Sequence, residues 1–522
     1  METNQDISTP SNTGGRSSLD DGNGNNSPPA EDETVVEPDQ GNVLSHIISQ
    51  LRPGADLSRV VLPTFILEPR SMLERITNFM AHPETLLPMP EIDDPLSRFV
   101  SVVKFYLSGW HIKPPGVKKP LNPILGETFT CYWDYDDGTR GYYISEQTSH
   151  HPPKSSYFFM APEHHIRIDG TLKPRSKFLG NSAASLMEGI AILQFLNRGK
   201  DVTDVCDSIV TQPNMYARGI LFGKMKYELG DHSYVRCPEN NLVADLEFKT
   251  KGYFSGTYNA IGGSIRNEET GEVYYELSGF WNGEMFIKDV TTGQKEPLFN
   301  ATNAKHTPPQ ARAMEEQAER ESQRLWSKTV EALYARNHDL ATDEKTRVEE
   351  QQRVEAAQRT EQGSTWRPKL FREVQGGPGG PEEGEEALDW ILDAHIDHKN
   401  PEVAIKQILS IAPILPRQEP TSSEPKPDVS KQTDPKNADS LIDFGDDNDT
   451  LPAAQSTTSE SKTTAAQQGL LDESSDDNTQ GKTGRARQSS LMEPLQPTLS
   501  PERVKRVDST NSDVDEFVDA QG

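Results

Sequence analysis

Residues 146–153 read EQTSHHPP, with two imidazoles, His150 and His151, side by side ahead of two prolines. Imidazole can ligate a metal or move a proton. Metal ligation fits poorly here, because adjacent residues in extended backbone point to opposite sides and no Cys, Asp or Glu cluster at ligand spacing completes a coordination shell. Nucleophilic hydrolysis has little support either, since the chain has no GxSxG elbow. Two histidines capping a turn is the alternative that these eight residues leave open. Two further polar groups stand apart from them. GVKKPLNPILGETF, 116–129, carries Lys118, Lys119 and Asn122 on a loop that two prolines stiffen. Lys345, Glu349 and Arg353 fall at i, i+4 and i+8 on one helix face, where such a row is ordinarily a solvated ion-pair ladder.

These groups need elements to position them. From about 128 to 300 the runs TFTCYWDY, GYYIS, SYFFMA, HIRIDGTL, VADLEFKTKGYF and EVYYELSGFW are short, aromatic and β-branched. Turn pairs such as Asp137-Gly138, Asp169-Gly170 and Asn282-Gly283 separate runs of this kind. The expected fold is mainly β (α+β): an antiparallel sheet closed into a large barrel, which can enclose a cavity. Ahead of it, VLSHIISQL puts Val43, Leu44, Ile47, Ile48 and Leu51 on one helical stripe, and Pro53-Gly54 stops it. A dense apolar patch around Pro63 follows, read as a buried strand or as a flap over a cavity. AASLMEGIAILQFL, 183–196, suggests a helix between strands. Past Pro309 two helices are expected, the second with Asp343 as N-cap, ending near residue 375. GGPGGP, 376–381, reads as a linker, and 382–415 as two short helices, the second capped by Asn400 with Pro401 at its first position.

Composition narrows the function classes. Residues 1–40 carry nine acids against one base and residues 381–522 carry 29 against 13, so the formal charge of −28 resides mostly in the tails. Both tails are polar and poor in aromatics, and disorder is expected over 1–40 and 416–522. Cys131, Cys206 and Cys237 are far apart with no CxxC pair, which argues against a disulfide framework or structural zinc. The N-terminus lacks the basic start and apolar core of a secretory signal, and no window reaches the roughly 18 to 20 apolar residues of a membrane-spanning helix. A cytoplasmic protein that works at membranes from the aqueous side is expected.

EQTSHHPP matches the EQxSHHPP fingerprint of the oxysterol-binding protein related family, with Thr148 in the variable place, and KPLNPILGE at 119–127 is a second distinctive block. The resemblance runs from about residue 43 to 375. It implies a closed barrel around an apolar tunnel, an N-terminal lid at about 43–70, and a basic mouth that grips the headgroup of phosphatidylinositol 4-phosphate. By motif, the headgroup residues are Lys119, Asn122, His150, His151, Lys345, Glu349 and Arg353. A phosphomonoester carries almost two charges near neutral pH, and Lys, Arg and imidazole supply charge-assisted donors for it. Prolines that hold His151 extended preorganise those donors. The wording of the lid, and SKFLGNSAASLMEG at 176–189, resemble the phosphatidylserine-transporting branch more than the sterol-binding members. In that branch the serine headgroup meets lid backbone near Leu62 and a polar position matching Ser176. No enzyme activity, cofactor or metal is expected.

About 40 polar residues precede the lid, too few for the pleckstrin homology domain that family members often carry, so targeting is sought elsewhere. Glu516, Phe517, Asp519 and Ala520, within 516–522, resemble the FFAT core EFFDAxE that docks on VAMP-associated proteins of the endoplasmic reticulum. Val518 replaces the second Phe, and Gly522 replaces the final acid. Peripheral residence at contact sites between endoplasmic reticulum and plasma membrane follows from that resemblance. Two other classes compete with exchange of phosphatidylserine for phosphatidylinositol 4-phosphate: a sterol exchanger, and a phosphoinositide-dependent sensor or tether that moves little lipid.

Overall fold

The computed structural model describes residues 33–35, 44, 46–57, 60, 62–198, 208–222, 224–252, 256–374 and 388–418. Cys206, the linker at 376–381, nearly all of both expected tails and the FFAT-like residues Glu516, Phe517, Asp519 and Ala520 lie outside the described residues.

Strand β1, Glu33–Val35, lies within the stretch expected to be disordered. β2, Leu67–Ser71, and β3, Lys119–Leu121, pair in parallel as a small sheet of their own. β4, Thr128–Asp134, β5, Arg140–His150, β6, Pro153–Ala161, β7, Ile166–Phe178, and β8, Ser182–Phe195, are consecutive antiparallel neighbours. β9, Ser208–Val210, and β10, Asn214–Arg218, both bridge from β8 to β11, Lys224–Cys237. β12, Leu242–Lys249, β13, Ala260–Asn267, β14, Val273–Phe280, β15, Glu284–Asp289, and β16, Lys295–Asn300, continue the meander. With β1 added along Lys224–Lys226 of β11, the described residues form a 14-stranded sheet.

Closure comes from coil. The segment after β16 runs along β4, where Tyr132 and Gln310 exchange both backbone hydrogen bonds at 2.9 and 2.8 Å and Thr128 N donates to Arg320 O at 3.1 Å. Trp133 Nε1 adds a bond to Thr307 O at 3.1 Å. The edge of β4 away from β5 is thereby covered at Thr128 and Tyr132 by coil rather than by a strand.

Helix α1, Pro95–Ser108, starts at Asp94, whose carboxylate accepts from Ser97 N at 2.7 Å. Phe99, Val102, Val103, Tyr106 and Leu107 are buried on it at helical spacing. It packs against β11, β12 and β16, with Tyr106 Oη and Ser233 Oγ 2.7 Å apart. Part of the enclosure is therefore solid core, and open space is left near β7, β8 and β10.

The expected helix over 183–196 is instead β8, which pairs with β7 along 13 consecutive residues. Its apolar residues satisfy a helix as readily as a strand, and backbone partners on β7 and β10 decide the outcome. Gly189 shows the constraint: it sits at φ +109°, and a Cβ there would lie 2.0 Å from Thr171 O.

α2, Ser322–Tyr334, and α3, His338–Glu361, are the expected C-terminal helices. The N-cap of α3 is Asn337, whose side chain accepts from Leu340 N at 3.1 Å, and Asp343 lies inside the helix. The short link from α2 leaves no room for a later start. Of the two helices expected over 382–415, the first is a strand: β17, Phe371–Glu373, pairs antiparallel with β18, Trp390–Leu392. The second is α4, Pro401–Ile411, capped by Asn400 as its sequence predicts. Leu392, Ile396, Ala404, Ile408 and Ile414 bury against Tyr142, Ile144 and Phe158 of the sheet. This segment covers the sheet with a hydrophobic cluster separate from the one around α1.

Candidate functional site

A cavity of about 280 Å³ opens between the lid and the sheet. Its apolar walls include Leu44, Ile48, Leu57 and Ile66 from the lid and Met187 and Met215 from β8 and β10. The lid is tied down by backbone at the end of β7. Gly54 N donates to Phe178 O at 2.7 Å, and Phe178 N donates to Ala55 O at 2.9 Å. Leu44 is buried with Ile220 and Met225 beneath the lid. Leu62 and Ser176 both line the cavity.

Basic side chains collect at one part of this wall. Lys118, Lys119, His150, His151 and Lys345 line it together with Asn122 and Glu349. Lys119 is pulled below the ordinary lysine range by burial first and the Lys345 ammonium second, with Glu349 and Asp56 opposing. Lys345 Nζ meets Glu349 Oε1 at 2.6 Å, so Glu349 holds the lysine that would otherwise repel Lys119. Lys118 Nζ donates to the lid carbonyl of Phe65 at 2.5 Å, and burial with nearby Arg336 lowers its pKa. His150 is held at about 4 by burial and then by His151, and the Pro123 carbonyl and Glu349 pull the other way.

Six of the seven expected headgroup residues line one cavity, although they come from β3 and its loop, the β5–β6 hairpin and α3. Arg353 is the exception. It sits one turn further along α3, exposed, bonded to Glu350 at 2.5 Å and 3.9 Å from Glu349. His151 also differs from expectation: EQTSH lies within β5, and His151 and Pro152 form the tight turn to β6, with His150 opposite Pro153. The His151–Pro152 peptide bond is cis, and the two imidazole rings meet edge to face at 4.7 Å.

The same motifs hold buried carboxylates that sequence reasoning passed over. Glu127, at the end of KPLNPILGE, is fully enclosed, and burial raises its pKa. It accepts from Ser71 Oγ at 2.5 Å, Ser322 Oγ at 2.6 Å, Trp326 Nε1 at 2.9 Å and Ile124 N at 3.0 Å. The lid strand, the lysine loop and α2 are thus joined at one carboxylate. Glu146 at the start of EQTSHHPP accepts from Lys369 N at 2.9 Å and Leu370 N at 2.8 Å. Gln147 Oε1 accepts from Ser155 Oγ at 2.6 Å, bracing the hairpin from inside. Gln352 was missed as well. It is 7% exposed and lies 2.9 Å from His150 Nε2, and its position seven residues after Lys345 was the available signal.

The arrangement offers an apolar chamber with donors at one margin, and no group of three or more metal-ligating side chains occurs among the described residues. The oxysterol-binding protein family model matches residues 46–335 and 329–399. The chain is similar to oxysterol-binding protein-like protein OBPalpha of Candida albicans, 48% identical over 77% of this chain and 92% of that one. It is likewise 48% identical to oxysterol-binding protein homolog 6 of Saccharomyces cerevisiae, over 75% and 86% of the two chains. Human oxysterol-binding protein-related protein 5 is 40% identical over 65% of this chain and 38% of its own length. In fold, the molecule is similar to the crystal structure of the Osh1 ORD domain in complex with cholesterol, with TM-score 0.57, 20% identity, and coverage of 73% and 94%.

Proposed function

Because this chain belongs to the oxysterol-binding protein family, we propose that it is a lipid transfer protein that exchanges phosphatidylserine for phosphatidylinositol 4-phosphate between membranes. One observation carries the reading: an apolar chamber under a lid has Lys119, His150, His151 and Lys345 on its wall. The acyl chains take the chamber, and the basic side chains take the phosphomonoester. Ser176 and the lid near Leu62 line the same chamber, which supports a serine headgroup there.

No covalent step is needed. Each buried methylene is worth about 0.8 kcal/mol, but the chains leave one apolar medium for another, so net transfer is nearly balanced. Direction follows from the lipid gradients on the two membranes. Residence at contacts between endoplasmic reticulum and plasma membrane, with a VAMP-associated protein bound by Glu516–Ala520, is part of this proposal.

Replacing His150 and His151 together by Ala is expected to abolish phosphoinositide extraction from liposomes and to leave phosphatidylserine extraction in place. Extraction of sterol with no extraction of phosphatidylserine by the unaltered protein overturns the choice of second lipid. A transfer assay with catalytic amounts of protein separates an exchanger from a sensor, since a sensor binds without moving lipid in bulk.

A further inference from the structure

Gln352 joins the three pieces of the cationic wall. Leu125 N, in the loop that carries Lys119, donates to Gln352 Oε1 at 2.7 Å. Gln352 Nε2 lies 2.9 Å from His150 Nε2, and Glu349 and Lys345 stand one and two turns earlier on the same helix. The direction of these bonds is decided by chemistry. A backbone N–H only donates, so the amide oxygen is held on Leu125 and the NH2 group is what faces the imidazole. An NH2 group only donates, so His150 Nε2 is the acceptor and carries no proton.

From this geometry we infer that Gln352 is a positioning residue that fixes His150 on the cavity wall as the neutral tautomer protonated at Nδ1. An imidazolium would set a second N–H against the Gln352 amide, donor to donor. Turning the amide over would lose the Leu125 bond. Burial is the largest cause that keeps the ring neutral, and Nδ1 is enclosed without a hydrogen-bond partner of normal geometry. His151 beside the ring also disfavours a charge on it, and the Pro123 carbonyl and Glu349 are the opposing influences. His150 therefore enters the wall as a fixed neutral ring, and Lys119 and Lys345 supply the charge. In water the tautomer protonated at Nε2 would be available as well, and a fixed ring spares that loss of order on binding.

This inference rests on the proposed lipid site, but its first test does not require any lipid. Imidazole ¹⁵N NMR of the ligand-free protein near neutral pH, with His150 identified by its loss in His150→Ala, is expected to show a neutral ring protonated at Nδ1. A ring protonated at Nε2, or an imidazolium, overturns the inference. Gln352→Met should release the ring to a mixture of tautomers, and Gln352→Glu, whose carboxylate accepts from Nε2–H, should raise the protonation midpoint of His150. An unchanged tautomer in both variants is the opposite result and excludes a positioning role. Thermal unfolding of each variant reports whether the fold is intact. For binding, Gln352→Met is expected to weaken association with phosphatidylcholine vesicles containing phosphatidylinositol 4-phosphate by about tenfold, because the lysine loop and His150 lose the amide that joins them, about one to two hydrogen bonds. Full affinity with a released tautomer shows that the tautomer does not serve this ligand. If the unaltered protein binds no phosphoinositide, the lipid reading fails, and the NMR result stands by itself.

Discussion

His150 and His111 share an environment that makes stability depend on pH. Burial, the largest cause in each case, holds both at about 4, against 6.5 for an ordinary imidazole. For His111 the neighbours His82 and His306 add to burial, and Glu84 opposes them. The unfolded chain takes up these protons first as pH falls. The contribution of both groups is therefore complete above about pH 6.5 and is lost as pH falls through about 4. The unfolding midpoint is expected to decline across that window, and less steeply in His111→Asn. A midpoint flat from 6.5 to 4 contradicts the burial of both rings. At this scale the sequence showed residue types and little of their partners. His150 and Lys119 were legible from their motifs, but Gln352 looked like one glutamine among several on a polar helix.

Among the elements, Glu127 shows how the lid strand, the lysine loop and α2 are held in one arrangement. Glu127→Ala leaves Ser71, Trp326 and the Ile124 amide without their acceptor and Ser322 with only the Thr128 carbonyl at 3.3 Å, all in buried positions. The expected loss is about 3 kcal/mol, since each stranded buried donor costs roughly 1 to 3 kcal/mol and local relaxation recovers part of it. Chemical denaturation measures it, and a loss below about 1 kcal/mol would show that the surroundings resupply acceptors. Elements were read correctly where local pattern and tertiary context agree: the aromatic meander, α2, and α4 with its Asn400-Pro401 start. They were misread where the two conflict. Residues 183–196 and 390–392 have apolar spacing compatible with a helix, but they lie beside strands whose backbone groups need partners. Asp389 reinforces the second case by meeting Lys154 at 2.7 Å and Lys173 at 2.6 Å.

For the whole molecule, the proposed exchange requires the cavity mouth to reach a bilayer, and the loop beside Ile220 offers a means. Ile220 lines the cavity, while Leu221 and Phe222 stand 54% and 73% exposed between Arg218 and Lys224. Replacing both exposed residues by Ser is expected to weaken association with anionic vesicles by about tenfold, roughly 1.4 kcal/mol. Capacity to hold lipid and thermal stability should persist, because neither side chain is part of the core. Unchanged vesicle association would place the membrane contact elsewhere on the surface. By itself the sequence determined the antiparallel β class, because strand patterning and turn pairs are local properties, while the lid and the headgroup residues were expectations from the resemblance that two contiguous motifs carry. The tertiary structure alone decided which part of the interior stays open, how the ring closes and which partner fixes each charged group. Those outcomes depend on contacts between residues far apart in the chain: α1 filling one side of the interior, Gln310 bonding β4, and Gln352 reaching His150.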